Sequence, residues 1–341
     1  MKYRLWACLL FLPMVLWASG RPKVAVVLSG GGAKGTAHIG ALKVIEEAGI
    51  PIDYVVGTSM GAIVGGLYSI GYTPQQLDSM VNAQNWKFLL SDAPNPKDVL
   101  LDDRLKSERY VLSIPFSLKS AAVSDAGIIK GKNLARLFST LTEGYQDSVD
   151  FSRLPIPFAC VSENLVNGSE VVFREGILAT AMRSSMSIPG VFAPVDLDGM
   201  VLVDGGMVNN YPVDVALAMG ADYVIGVDVQ SPLLKASELK SVKDIFGQII
   251  NLQGEKKYRE NLRNTDVLIK VDVTGYSAAS FTKEAIDTLM VRGERAAMDS
   301  WDGLLALNGS WDLQTIISLA VRDLSACPAW LLIGRFPLIP K

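Results

Sequence analysis

Gly57-Thr58-Ser59-Met60-Gly61 spells G-x-S-x-G between an apolar run and a helical stretch, the setting of a nucleophile elbow. A serine hydroxyl on such a turn can attack an ester carbonyl and carry the acyl group. The turn is sharp, so the neighbours must be small, and Gly57 and Gly61 meet that need. A helix starting at Met60 points its N-terminal dipole at the hydroxyl, which favours developing negative charge. Acyl transfer also needs donors for the oxyanion. Upstream, Gly30-Gly31-Gly32-Ala33-Lys34-Gly35 follows another apolar run. Consecutive glycines let backbone N–H groups converge on a small space, because no side chain blocks the approach. Gly30, Gly31 and Gly32 are therefore the candidate oxyanion hole. Lys34 is read as a solvated side chain, with attraction of an anionic substrate as the alternative.

The serine needs a base, and the chain has one histidine, His38. It falls three residues after Gly35, inside a predicted helix, and is read as structural. A carboxylate must then serve. Asp204, in Val203-Asp204-Gly205-Gly206, follows a short apolar strand and is freed by two glycines. A plain turn aspartate is the competing reading. The first glycine turn also satisfies G-x-G-x-x-G, a dinucleotide fingerprint, which requires an acid at the end of the second strand. Asp53 precedes that strand and the serine turn follows it, so nucleotide binding is disfavoured. No G-x-x-x-x-G-K-[ST] loop is present.

The elements that must hold these residues alternate. Lys23–Leu28 reads as a buried parallel strand, Thr36–Ala48 as a helix ending at Gly49, Asp53–Val56 as a strand and Met60–Ile70 as a helix. Thr73-Pro74 opens a further helix. Residues 85–130 hold three prolines and no sustained period. They read as a surface excursion, either a substrate flap or a decorated connection. Beyond them, helices are predicted over 132–141, 177–185, 213–219, 242–263 and 281–307. Strands are predicted over 156–161, 170–173, 201–203, 223–229 and 267–271. Such alternation implies a parallel sheet covered on both faces.

Composition bounds the function. Of 341 residues, 49% are hydrophobic and 20% charged, a globular balance. A net charge of −3 argues against a nucleic-acid partner. Three cysteines exclude a disulfide scaffold, and no Cys/His spacing suggests zinc. Cys160 lies in an apolar strand and is expected as a buried thiol rather than paired with Cys327. Residues 1–20 have the layout of a secretory signal peptide: Lys2 and Arg4, an apolar run from Leu5 to Trp17, then Ala18-Ser19-Gly20. Export to the periplasm, outer membrane or medium is expected. No later stretch is apolar over the length of a membrane helix.

Taken together, the glycine turn, the Ser59 elbow and Asp204-Gly205-Gly206, in that order, resemble the patatin-like phospholipase family. Arg183-Ser184-Ser185-Met186-Ser187-Ile188-Pro189 and Asn209-Asn210-Tyr211-Pro212 look like family stretches too. Ser162-Glu163 departs from a common Thr-Asp. The resemblance covers about residues 23–273. It implies an α/β fold, a patatin-like three-layer sandwich with a mostly parallel central sheet and helices on both faces, over 21–307. It also implies a Ser59–Asp204 dyad, no metal, no cofactor, a phospholipid or other acyl-lipid substrate and a membrane surface as partner. A catalytically silent binding or scaffold protein of the same fold is the alternative. The 34 residues after 307 would supply about three strands of a membrane barrel at most, so residues 308–341 are read as a truncated remnant or a short docking segment.

Overall fold

The computed structural model describes residues 21–94, 129–237, 239–240 and 242–309. The signal-peptide reading on 1–20, most of the 85–130 excursion, Cys327 and nearly all of the 308–341 tail lie outside the described residues.

Eight strands make the central sheet: β1 (Val24–Leu28), β2 (Tyr54–Thr58), β3 (Phe158–Asn164), β4 (Ser169–Phe173), β5 (Val195–Leu197), β6 (Met200–Asp204), β7 (Tyr223–Asp228) and β8 (Val267–Lys270). Their order is β8-β7-β1-β2-β3-β6-β5, with β4 also on β3. From β8 to β3 every pairing is parallel. The pairs β3–β4, β3–β6 and β5–β6 are antiparallel. The apolar run of β1 is buried at every position, as a strand covered on both faces requires.

Alternation along β1 divides its side chains between two cores. Val24, Val26 and Leu28 enter the larger core. That core includes residues of α1 (Ala37–Glu47), α2 (Met60–Ser69), α3 (Pro74–Ala83), α4 (Lys132–Leu141) and α5 (Leu178–Ser185). Ala25 and Val27 enter the smaller core on the opposite face, under α6 (Val213–Ala218) and α7 (Val242–Arg263). Helix α8 (Lys283–Asp299) packs on α1, and α9 (Trp301–Gly309) closes the described chain. The three-layer architecture expected from the alternation of elements is the one observed.

Boundaries moved where hydrogen bonding overrode pattern. The helix expected over 36–48 begins as a 3-10 turn, Gly32–Thr36, before α1. The single helix expected over 281–307 breaks at Ser300 into α8 and α9. Thr73 caps α3 reciprocally with Gln76, as a capping box. Strand β5 was not expected, because three residues are too short to show a period. Cys160 is a free, buried thiol. Among the described residues no helix is long and apolar enough to cross a membrane.

Candidate active site

Strand β3 acts as the ruler that brings the two chemical groups together. Its residues Cys160 to Asn164 pair with β4 along one edge. The other edge must therefore carry both β2 and β6. Thr58, the last residue of β2, lies beside Val161, and Asp204, the last of β6, lies beside Ser162. Running in opposite directions on one edge, the two strands meet end to end, and the residue after Thr58 is Ser59.

Ser59 has φ 55° and ψ −121°, a left-handed conformation that a serine adopts only when its surroundings enforce it. They do: a Cβ on Gly61 would run into the Leu28 carbonyl oxygen, and one on Gly57 into the Gly61 carbonyl oxygen. Ser59 is 5% exposed and stands at the N-terminus of α2. Its Oγ donates to Asp204 Oδ2 at 2.6 Å. Asp204 Oδ1 accepts from the Gly206 amide at 2.8 Å. Asp204 is 7% exposed, and burial pushes its carboxyl up to about 6 against the pull of those two hydrogen bonds. Among the described residues no cation pairs with it. Gly205 lies against β3, where a Cβ would strike the Val161 carbonyl oxygen.

The glycine turn packs against the elbow across β1 and β2. The Gly30 amide donates to Asn210 O at 3.1 Å and so is engaged within the protein. The amides of Gly31 and Gly32 have no protein acceptor among the described residues. Gly32 has φ 57° and its missing Cβ leaves room for Ala278. Of the three expected donors, two are thus open to a ligand, and Gly30 contributes by letting Asn210 and Ser59 approach. Gly35 is buried against Met60 and His38.

Lys34, expected as solvated, is half-buried on the cavity wall, with its bond to Ser231 at an exposed position. It lines the cavity, donates to Ser231 Oγ at 3.0 Å, and has its ammonium pushed down to about 8 by burial and by neighbouring Lys270, against the pull of Asp228. His38 is fully buried, with Nε2 at 2.8 Å from the Ser29 carbonyl oxygen and Nδ1 without a partner among the described residues. Burial pushes its imidazole down to about 4, and it does not line the cavity. A buried neutral ring braced on β1 matches the structural role expected of it.

A cavity of about 360 Å³ opens over Ser59, Asp204 and the three glycines. Apolar side chains such as Ile188 and Leu234 share its wall with Lys34 and Asn210. Among the described residues no cluster of three His, Cys, Asp or Glu side chains forms a metal cage. Several groups that hold the site were visible beforehand only as stretches resembling a family. The Ser59 amide donates to Ser185 Oγ at 2.9 Å, and Ser185 Oγ donates to Val161 O. The Asp204 amide donates to Ser187 O, and buried Arg183 ties Ser187 to the carbonyl of Ala193. Thr58 Oγ1 donates to Asn209 O at 2.8 Å. Asn209 is held in turn by Glu170, Asp214 and Asn261, with Lys257 bridging the two acids. Glu170, Asn261 and Lys257 carry no such signal, because they come from distant parts of the chain.

Known proteins resemble this one over the same region. An uncharacterised NTE family protein of Mycobacterium tuberculosis is 32% identical over 211 residues, 62% of this chain and 50% of its own. Human patatin-like phospholipase domain-containing protein 6 is 32% identical over 61% of this chain and 13% of its own. Lysophospholipase NTE1 of Mycosarcoma maydis is 28% identical over 82% of this chain and 15% of its own. The chain therefore spans half the length of its mycobacterial relative and far less of the other two. Among solved structures, human GIVD cytosolic phospholipase A2 is 12% identical with a TM-score of 0.46, covering 88% of this chain and 60% of that one. VipD from Legionella pneumophila is 17% identical with a TM-score of 0.44, covering 83% and 67%. The model of the patatin-like phospholipase family matches residues 26–217, more than half of the chain and inclusive of both glycine turns, Ser59 and Asp204, so the chain belongs to the patatin-like phospholipase family.

Proposed function

We propose that this protein is an exported serine hydrolase that cleaves carboxylic ester bonds of phospholipids or lysophospholipids. The observation that carries the reading is the 2.6 Å bond from Ser59 Oγ to Asp204 Oδ2 beneath an open cavity. Asp204 takes the hydroxyl proton as Ser59 Oγ attacks the ester carbonyl. The open amides of Gly31 and Gly32 receive the oxyanion, with the α2 N-terminus behind them. Asp204 passes the proton to the leaving alcohol, and water then releases the acid from Ser59. A carboxyl held at about 6 suits both halves, because it gives up and regains a proton near neutral pH. Lipid as substrate is supported by the family and by a relative named as a lysophospholipase. The apolar part of the cavity wall suits an acyl chain, and Lys34 on the rim suits a phosphate-bearing one. The signal-peptide pattern of residues 1–20 supports export.

A fluorophosphonate probe tests the chemistry. Labelling of wild type at Ser59, absent from Ser59→Ala, is the expected result. A folded protein that takes no label and releases no fatty acid from a mixed lipid extract would instead be a binding or scaffold protein. Mass spectrometry of the exported protein tests the leader, with a mature chain beginning near Ser19 or Arg21 expected.

A further inference from the structure

Asn210 has a side-chain oxygen turned toward the site that no group among the described residues uses. Its orientation is set by a relay from a buried charge. Asp228 accepts from Tyr258 Oη and Lys270 Nζ, both at 2.5 Å, and from the Gln230 amide at 2.8 Å. A carboxylate only accepts, so Gln230 must present Nε2 to it, at 3.2 Å. Gln230 Oε1 is then left to accept from Asn210 Nδ2 at 2.8 Å. Asn210 Nδ2 also faces the Gly30 carbonyl oxygen at 3.4 Å. Asn210 Oδ1 is forced to the opposite side, as an acceptor lining the cavity.

That side borders Asp204 and Ser59. A Cβ placed on Gly206 would stand 2.8 Å from Asn210 Oδ1 and 3.0 Å from Asp204 Oδ1, so both oxygens border one small space. A Cβ placed on Gly30 would collide with Asn210 Oδ1 and stand 3.2 Å from Ser59 Cβ. Attack on an acyl-Ser59 requires a water beside Asp204. Water brings two O–H groups, and Asp204 takes the proton of only one. The second must donate elsewhere or stay unpaired in a partly buried site.

We propose that Asn210 Oδ1 holds the second O–H of the hydrolytic water and so sets the rate of deacylation. This rests on the Ser59 acyl-enzyme reading above. The water oxygen bonds to the acyl carbon, one proton passes to Asp204 and the other stays on the oxygen, hydrogen-bonded to Asn210. The tetrahedral intermediate then breaks its bond to Ser59 Oγ, which regains the proton from Asp204, and the carboxylic acid leaves. Asn210 is chemically unchanged.

Methanol separates this role from a structural one, since its single O–H goes to Asp204 and needs no second acceptor. The experiment follows a nitrophenyl ester with wild type, Asn210→Leu and Gln230→Leu, with and without methanol. In Asn210→Leu the burst of nitrophenol is expected within about threefold of the wild-type rate. Hydrolytic turnover should fall about tenfold, the loss expected when one acceptor to a reacting group goes. Acyl-Ser59 should accumulate by intact mass, and added methanol should restore turnover as methyl ester. Gln230→Leu, which leaves Asn210 in place but unlatched, should show the same pattern at smaller amplitude. Equal loss of burst, hydrolysis and methanolysis in both variants would overturn the proposal, as would unchanged hydrolysis in Asn210→Leu. A wild type that releases no nitrophenol and takes no fluorophosphonate label at Ser59 would overturn the hydrolase reading instead.

Discussion

Asp204 and Asp228 both end strands of one sheet and both are buried, yet their surroundings differ in kind. Asp228 is fully buried and faces Lys270 and Tyr258, with Gln230 bonded to it twice. Asp204 has a hydroxyl and one backbone amide, and no cation among the described residues. Asp228, held by a lysine, a phenol and an amide, serves as a fixed acceptor. An unpaired carboxyl in the same degree of burial is pushed up to about 6, where it can exchange a proton. The partner, more than the burial, separates a fixed acceptor from a carboxyl able to exchange a proton.

The strongest way to break this contrast is to remove the reacting groups. Ser59→Ala should lower kcat for a short-chain nitrophenyl ester by about 10⁴-fold or more, and Asp204→Asn by about 10³-fold or more. Activity above a few per cent of wild type in either would sink the dyad. Asp204→Asn carries a second expectation. A carboxyl moved from 3.8 to about 6 by folding destabilises the folded state, by on the order of 3 kcal/mol once ionised. The folded pKa lies above the unfolded one, so this strain is present above about pH 6 and gone below about pH 4. At pH 8 Asp204→Asn should therefore melt no lower than wild type by circular dichroism.

Gly32→Val should come next. The new side chain meets Ala278 in a backbone region that disfavours branched residues, and it turns an open amide away. Losing one oxyanion donor costs about 2.7–4 kcal/mol, so kcat should fall about 10²-fold to 10³-fold with a smaller change in KM. A kcat/KM within about threefold of wild type would remove Gly32 from the hole.

Asp228→Asn sharpens the contrast from the other side. It strands Lys270 and loosens Gln230, so the melting temperature should fall by several degrees, about 1–3 kcal/mol, with activity reduced about tenfold at most. A loss of activity equal to that of Asp204→Asn, without loss of stability, would erase the distinction between the two acids.

The pH profile reads Asp204 directly. It must be ionised to take the serine proton, so kcat/KM should decline as pH falls through about 6. A limb near 4 would point to His38, whose buried imidazole is held there. The smallest effect belongs to His38→Gln, which should retain at least a tenth of wild-type kcat. Collapse of that variant while folded, with Asp204→Asn still active, would replace the dyad by a histidine base.

Much of this was readable in advance. Gly57 to Gly61 and Gly30 to Gly35 are local turns marked in the sequence by their glycines, although the groups those glycines admit, among them Leu28, Asn210 and Ala278, lie elsewhere in the chain. The apolar runs of β1, β2 and β7 revealed a buried parallel sheet because both faces of each strand are covered. Asp204 was found through the two glycines after it. The groups that half-bury Lys34 or act on its charge, Ser231, Lys270 and Asp228, are not legible from its own segment because they lie about 200 residues away in sequence. The engagement of the Gly30 amide by Asn210 was hidden for the same reason.

Turn chemistry and strand periodicity are properties of neighbouring residues, and the order of residues alone settles them for this chain: a serine on a strained elbow, an open glycine loop and an alternating α/β sheet. Which edge of β3 receives β6, which amides stay open, which aspartate meets a lysine and where Asn210 points are contacts between distant segments. Only packing decides them, because burial and charge pairing are set by what the folded sheet brings alongside.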